Sequence, residues 1–126
     1  MLKLAMRLLV GLAVVLSLGS AVNAAQPYDE KSFNEAQAAG KTVLINVTAP
    51  WCPTCKKQEP VIRAIEKERP NLVVYEVDFD SAKDLLQRLQ VRAQSTLIVY
   101  KGPKEVARSI AETDPHRLRA LIAKGF

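Results

Sequence analysis

Three short apolar runs, each rich in β-branched residues, occur along the chain at residues 43–47, 72–77 and 96–100. Runs of this length between turn-forming residues are typical of strands buried in a sheet. The third run is followed by Lys101-Gly102-Pro103-Lys104, which predicts a turn. Residues 105–110 are therefore predicted to return as the hairpin partner of the third strand.

Helices are predicted around these strands, at 33–39, 56–68, 81–89 and from Pro115 onward. Ser32-Phe33-Asn34-Glu35 fits a capping box at the start of the first helix, and Gly40 follows its end. Pro60 lies inside the second helix and should bend it, because proline lacks a backbone donor. Asp114 is predicted to cap the last helix, whose first position is a proline.

The predicted order of elements is αβαβαββα, which places the protein in the α/β class. Strands separated by helices should be parallel with right-handed crossovers, whereas the final hairpin is antiparallel. The sequence has no repeat, no low-complexity stretch and no linker long enough to separate domains. We therefore expect one domain, a small mixed β-sheet flanked by helices on both faces.

The N-terminal segment has the pattern of an export signal. Lys3 and Arg7 precede an apolar core at 8–18, and Val22-Asn23-Ala24 offers small residues for cleavage. The core is shorter than the about 20 residues of a membrane span. We expect residues 1–24 to be a cleavable signal peptide and residues 25–126 to be a periplasmic or otherwise exported domain, with an uncleaved anchor as the alternative.

The charge of the chain argues against nucleic acid as a partner. The formal net charge is +5 at pH 7, and loss of Lys3 and Arg7 with the signal would lower it to +3. Basic residues are dispersed rather than grouped in a patch. After cleavage, no apolar segment remains that predicts stable membrane insertion.

Both cysteines lie in one hexapeptide, Trp51-Cys52-Pro53-Thr54-Cys55-Lys56, between a predicted strand and a predicted helix. This places the first sulfur at a helix N-terminus, where free N–H groups and the macrodipole favour an anion. The thiolate is that anion, and it is the reactive form of cysteine. The second sulfur lies about one turn inside, close enough to form a disulfide. The pair therefore predicts a redox site.

Two other interpretations of the pair are weaker. A structural zinc site usually needs four ligands, and the chain adds to its two cysteines only His116, which we interpret as a surface or packing residue. A purely structural disulfide would close so short a loop that it removes little entropy from the unfolded chain. No metal and no cofactor are expected.

With these motifs, the chain resembles the thioredoxin superfamily from about residue 32 to residue 122. The resemblance is carried by a strand, then Trp51-Cys52-x-x-Cys55-Lys56, then a helix containing Pro60, and by Val91-Arg92 before the strand at 96–101. It implies a thioredoxin-like fold. Cys52-Pro53-Thr54-Cys55 is also similar to the motif of exported members that serve cytochrome c maturation.

The resemblance implies a role for each residue of the motif. Cys52 would attack a substrate disulfide, and Cys55 would then resolve the mixed disulfide. Pro53 would begin the helix, Thr54 would tune the thiolate, and Trp51 would form part of the docking rim, with plain core packing as the alternative. The implied partners are protein thiols and disulfides, together with an unidentified protein that recycles the redox state.

Ser95 departs from the family pattern, which places a cis-proline just before the threonine of the third strand, here Thr96. A cis bond before a residue other than proline costs about 2.5–4 kcal/mol, so the Gln94–Ser95 bond is predicted to be trans. This change alters the usual substrate groove. It also places a hydroxyl opposite the sulfurs, available to bond a thiolate or a ligand.

Asn46 is a second departure, because many thioredoxins carry a buried acid at this position. A carboxylate can take the proton of the resolving thiol, whereas an amide cannot. Water or Lys67 would have to do so instead. The sequence therefore predicts slower reductase chemistry than that of a housekeeping thioredoxin.

The function predicted from these observations is an exported thiol–disulfide oxidoreductase that exchanges disulfides with protein substrates through Cys52 and Cys55. The direction of electron flow is left open. Two alternatives belong to other classes: a module that binds a soft metal such as Cu(I) through the paired sulfurs, and a noncatalytic interaction domain whose disulfide never cycles.

Overall fold

A mixed sheet with helices on both faces forms the centre of the computed structural model, which describes residues 24–126. The predicted signal segment, apart from Ala24, lies outside the described residues. The elements in chain order are β1 (Gln26–Pro27), α1 (Glu30–Ala38), β2 (Thr42–Thr48), α2 (Pro53–Glu68), β3 (Leu72–Asp78), α3 (Lys83–Arg88), β4 (Thr96–Lys101), β5 (Lys104–Ile110) and α4 (Pro115–Ala123).

The described strands lie in the order β1-β3-β2-β4-β5. β2 is parallel to β3 and antiparallel to β4, and β4 and β5 form the predicted antiparallel hairpin. The mixed α/β sheet expected from the sequence is therefore confirmed. The sequence does not predict β1, a two-residue strand that pairs in parallel with β3. Two residues are too short to carry a periodic pattern, so the neighbouring strand defines this element.

Alternation along β2 divides the apolar core into two layers. Val43, Ile45 and Val47 pack with α1 and α3, whereas Leu44 packs with α2 and α4. Successive side chains of a strand point to opposite faces, so Asn46 lies on the same face as Leu44. The polar residue singled out in the sequence is thereby directed towards the helix that begins at the cysteine pair.

The start of α1 corrects the predicted capping box. Asp29 is the N-cap, and its Oδ2 accepts a hydrogen bond from the backbone N–H of Ser32 at 2.8 Å. The Ser32 hydroxyl instead forms a 2.7 Å hydrogen bond with the Tyr75 hydroxyl, 43 residues away. Asp29 and Ser32 can both cap a helix, and the hydrogen bond to Tyr75 occupies the Ser32 hydroxyl, so Asp29 is the cap. The end of the helix agrees with the prediction, since Gly40 has a φ of 72° just beyond it.

Other helix boundaries differ by a few residues. α2 begins at Pro53, three residues before the predicted start, because proline suits the first helical turn. α3 begins at Lys83 because the Ser81 hydroxyl donates to the Asp78 carboxylate at 2.8 Å and holds this segment in a turn. The predicted cap of α4 is confirmed, with the Asp114 carboxylate accepting from the Arg117 N–H at 2.9 Å.

Candidate active site

The junction between β2 and α2 places Cys52 at the N-cap of the helix. Its Sγ accepts a hydrogen bond from the backbone N–H of Cys55 at 3.1 Å, as an N-cap side chain does. Pro53 occupies the first turn. The arrangement expected from the sequence is thus present: an acceptor sulfur where the helix has N–H groups to donate and a positive dipole end.

Cys52 and Cys55 form a disulfide, with their Cα atoms 5.3 Å apart. Both residues are buried: Cys52 is 1% exposed and Cys55 is 6% exposed. They pack with Ala49 and with the partly buried Phe79. The electrophilic sulfurs are therefore covered in the oxidised protein, and an incoming thiolate reaches them only when neighbouring groups move.

Ser95 contacts both sulfurs. Its Oγ lies 3.1 Å from the Sγ of Cys52 and 3.2 Å from the Sγ of Cys55. Disulfide sulfurs have no proton to give, so the hydroxyl is the donor in this state. The Gln94–Ser95 bond is trans, as predicted, and Ser95 has a φ of 65°, a left-handed conformation uncommon outside glycine. The hydroxyl is thus held at the point from which it could stabilise a thiolate on either cysteine.

Three backbone and side-chain contacts hold Ser95 in this conformation. Its N–H donates to the carbonyl of Val47 at 2.9 Å, and its carbonyl accepts from the N–H of Ala111 at 3.1 Å. The Gln58 side-chain amide also donates to the Ser95 carbonyl at 3.2 Å and to the Glu112 carbonyl at 2.9 Å. Residues from α2, β2 and the segment after β5 therefore fix the position of one hydroxyl.

The sequence reasoning missed Gln58. This side chain is 1% exposed and lies on the buried face of α2, three residues after Cys55 and four before Ile62. A polar residue at an apolar position of the helical period was the available signal. Buried polar groups are usually hydrogen-bonded, so such a residue points to a backbone segment that it holds.

Asn46 lies next to Cys55 in the wall of a cavity. It is 8% exposed, and its Oδ1 has no hydrogen-bond partner among the described residues. It lines a cavity of about 410 Å³ together with Cys55, and Glu76 is its neighbour in the register between β2 and β3. The other charged residues lining this cavity are Lys56, Glu59 and Asp78. The cavity gives water a polar route to Cys55.

Lys67 does not reach this cavity, which corrects its suggested part in proton transfer. It is exposed and lies twelve residues beyond Cys55 on α2, a displacement of about 18 Å along the helix axis. The charged groups near Cys55 come instead from the first turns of α2 and the end of β3.

Trp51 lies at the rim of the site rather than in the core. Its side chain is 54% exposed, and its Nε1 donates to the Asp80 carboxylate at 2.7 Å. The alternative of core packing is therefore wrong. The partner, Asp80, belongs to the turn after β3 and was not identified from the sequence.

The remaining residues named from the sequence form no hydrogen bond with the sulfurs. The Thr54 hydroxyl forms no hydrogen bond with a group in residues 24–126, either sulfur included. The buried Thr96 donates its hydroxyl to the Ala93 carbonyl at 2.7 Å and so closes the loop before β4. His116 is exposed on α4, as predicted. Within residues 24–126, no group of three or more His, Cys, Asp or Glu side chains could hold a metal ion.

Comparison with known proteins agrees with this geometry. The thioredoxin family model matches residues 24–124. Thioredoxin of Chlamydia trachomatis is 36% identical over 99 residues, covering 79% of this chain and 96% of that protein. Thioredoxin-2 of Saccharomyces cerevisiae is 34% identical over 92 residues, covering 72% and 88%. The crystal structure of Trxlp from Edwardsiella tarda has a TM-score of 0.74 at 42% identity, covering 79% and 98%.

The chain belongs to the thioredoxin family. With the Cys52–Cys55 pair at the start of α2, it is a thiol–disulfide oxidoreductase of the thioredoxin type. The family model covers the described domain almost from end to end, and the redox pair lies within the matched residues.

In this member of the thioredoxin family, removal of the Ser95 hydroxyl is expected to slow alkylation of reduced Cys52. A hydrogen bond to a charged group contributes about 1.5–3 kcal/mol, so Ser95→Ala should lower the rate at neutral pH by about tenfold. Iodoacetamide labelling followed by mass spectrometry measures this rate. Thr54→Ala, which removes a nearby hydroxyl that forms no hydrogen bond with either sulfur, is the control and should retain the wild-type rate. Equal rates for all three proteins would show that the contact does not stabilise the thiolate.

Replacement of Asn46, which lines the cavity at Cys55, by aspartate is expected to speed reduction of a substrate disulfide. Asn46→Asp supplies a proton acceptor in the cavity, where Glu59, Glu76 and Asp78 disfavour its ionisation and so make it a stronger base. Reduction of a model protein disulfide at neutral pH should quicken by about tenfold. Asn46→Leu, similar in size but unable to take a proton, should give no increase. An unchanged or lower rate for Asn46→Asp would contradict the prediction.

Proposed function

We propose that this thioredoxin-family oxidoreductase is exported and exchanges disulfides with cysteines of other proteins outside the cytoplasm. The observation that carries the chemistry is the position of the Cys52 sulfur, which accepts a helix N–H and a hydroxyl hydrogen bond at once. The basic start, apolar core and small residues before Ala25 support export. No helix within residues 24–126 is long and apolar enough to cross a membrane.

In the reducing direction, the Cys52 thiolate attacks one sulfur of a substrate disulfide. A mixed disulfide forms, and the other substrate sulfur leaves as a thiolate that takes a proton from water. The Cys55 thiol then loses its proton into the cavity and attacks the Cys52 sulfur. The protein disulfide forms as the second substrate thiol leaves, so two electrons pass to the substrate. An oxidant runs the same steps in reverse.

The helix N-terminus and Ser95 act on the first of these steps. Both stabilise negative charge on Cys52, which raises the fraction of thiolate. In the oxidising direction the same contacts make Cys52 a better leaving group when the second substrate thiolate attacks the substrate sulfur of the mixed disulfide. The exposed ring of Trp51 lies beside the pair and offers an apolar surface for an extended substrate segment. Because both sulfurs are buried, binding of a substrate segment also has to displace the groups that cover them.

Export determines what else the reaction needs. Disulfides form and persist outside the cytoplasm, so a reductase there depends on a partner that returns electrons to Cys52 and Cys55, whereas an oxidase depends on one that removes them. Equilibration with defined glutathione mixtures places the potential of the pair. A potential well below that of the glutathione couple indicates a reductase, and one above it indicates an oxidant.

Two measurements test the proposal. The full chain is expressed in a bacterium, and the cell fraction and first residue of the purified protein report export. Reduction of insulin by that protein with dithiothreitol present reports disulfide exchange. Retention in the cytoplasm would contradict export, and no acceleration of insulin reduction would contradict the exchange reaction. Copurified copper together with an inert pair would favour the metal-binding alternative.

A further inference from the structure

Glu66 is a carboxylate inside the protein. It lies on α2, is 6% exposed, and is one of the few buried charged or polar side chains in the described domain. The hydrogen bond that reaches it comes from the backbone N of Ala25, which lies 3.1 Å from Oε2. None of the ion pairs formed within residues 24–126 includes Glu66.

A buried carboxylate without a cation is unfavourable, since it has lost its hydration and gained no opposite charge. Burial accordingly raises the pKa of Glu66, a rise to which the neighbouring Glu76 adds and which the Ala25 N–H and Arg63 oppose. A peptide N–H is a neutral donor and offsets only part of this effect. Among the described residues, Glu66 therefore has no directly paired cation as long as Ala25 is joined to a preceding residue.

Ala25 is also the first residue after the predicted cleavage point. Ala24 is exposed, so the bond that precedes Ala25 lies at the surface. Hydrolysis of the Ala24–Ala25 bond adds one water: Ala24 leaves with a carboxylate, and Ala25 keeps an amine that takes a proton. A free α-amino group has an ordinary pKa of about 7.7–8.0 and is mostly cationic at neutral pH.

We propose that removal of residues 1–24 converts the Ala25 nitrogen into the counter-ion of Glu66, so that cleavage itself completes the folded domain with a buried ion pair between its N-terminus and α2. The inference rests on the export proposed above. The ammonium would stand where the amide N–H now donates, 3.1 Å from the carboxylate. The ion pair would also hold the following strand, Gln26–Pro27, at the edge of the sheet beside β3.

The experiment uses the full chain, expressed for export and purified after processing. Intact mass and N-terminal sequencing should show a free amine at Ala25. Insertion of Ser-Gly between Ala24 and Ala25 keeps the cleavage point and moves the new amine two residues away. Glu66→Gln removes the charge and keeps an acceptor. Glu68→Gln, two positions along α2 at an exposed ion pair with Arg119, is the matched control.

The unfolding equilibrium constants of these proteins, measured with denaturant at pH 7, are expected to differ. Glu66→Gln should raise the unfolding equilibrium constant of the processed protein by about tenfold or more, because it leaves the ammonium without its buried partner. In the Ser-Gly protein the same substitution should raise it less than about twofold, or lower it. Glu68→Gln should have the same small effect, below about threefold, in both. The inserted protein supplies a test even if Glu66→Gln alone folds poorly.

The pH dependence gives a second readout. Pairing raises the pKa of the amine on folding, so its contribution is present below about pH 7.7 and is lost as the pH rises through the folded-state value. In the Ser-Gly protein the raised pKa of Glu66 acts with the same sign but in a lower pH window: its contribution is greatest below the ordinary carboxyl pKa and is lost as the pH rises through the folded-state value. The two proteins should therefore differ most near pH 7 and converge near pH 10.

A first residue other than Ala25 overturns the inference, as does an equal effect of Glu66→Gln in the processed and inserted proteins. Insulin reduction by the same samples keeps this result separate from the proposed function. All six proteins, the processed and inserted chains each without a substitution, with Glu66→Gln or with Glu68→Gln, should reduce insulin at the same rate, since both residues lie outside the redox site. If the exported protein begins at Ala25 but Glu66→Gln has the same effect on stability in the processed and inserted proteins, the ion pair is rejected. The proposal of an exported oxidoreductase is then unaffected.

Discussion

Replacement of Cys52 by serine is expected to abolish disulfide exchange, with a loss of at least about a thousandfold in the rate of insulin reduction. The described site offers no second nucleophile that could take over, because the chain contains two cysteines and Cys55 lies one turn inside α2. A serine hydroxyl at the helix N-terminus remains protonated and does not attack sulfur. Turbidity of reduced insulin chains follows the reaction.

Cys55→Ser is the matched control, because it removes the same disulfide and leaves the Cys52 sulfur in place. This protein should still attack a substrate disulfide once and then stop, so that a covalent mixed disulfide accumulates and appears on a non-reducing gel. Its mass identifies the bound substrate. Residual turnover by Cys52→Ser, or no covalent adduct with Cys55→Ser, would reverse the roles assigned to the two sulfurs.

Ser95→Pro is expected to destabilise the folded protein by about 3 kcal/mol or more. Proline holds φ near −65°, whereas Ser95 has a φ of 65°, and the substitution also removes the N–H that donates to Val47. The residue that the wider family favours at this position is thus incompatible with the loop of this chain. Chemical denaturation followed by circular dichroism measures the free energy of unfolding.

Ser95→Gly is the control, because it avoids both causes of that loss. Glycine adopts a positive φ readily and keeps the N–H, so this variant should match or slightly exceed the wild-type stability. If Ser95→Pro were as stable as the wild type, the loop before β4 would have a second conformation that accepts proline, and the contact between the hydroxyl and the sulfurs would not be fixed by the fold.

Most of the fold was predictable because its signals are local. The apolar runs of β2, β3 and β4, the glycine turn of the hairpin and the Asp114 cap each depend on residues within a few positions of one another. The predictions failed where two local options were nearly equal. Asp29 and Ser32 could each cap α1, and the outcome depended on the hydroxyl of Tyr75, a residue on another strand.

In the site, too, local signals could be predicted from the sequence, whereas contacts between distant residues could not. The cysteine pair was found from its spacing, and Ser95 and Asn46 from their departure from a family pattern. Gln58 and Asp80 were missed because their importance lies in partners far along the chain: Gln58 supports the Ser95 loop, 37 residues away, and Asp80 holds Trp51, 29 residues away. The position of Gln58 on the buried face of α2 marks the residue itself, but the sequence does not identify the partner of either side chain.

By itself, the sequence determined that this protein carries a cysteine sulfur at the start of a helix, since a strand, the cysteine with its proline and a helix follow one another within a few positions. Only the tertiary structure decided what surrounds that sulfur and what faces the buried Glu66. The physical reason is that a hydroxyl 3.1 Å from a sulfur, or a backbone nitrogen 3.1 Å from a buried carboxylate, joins residues about forty positions apart. Packing of the whole sheet and its helices sets those distances.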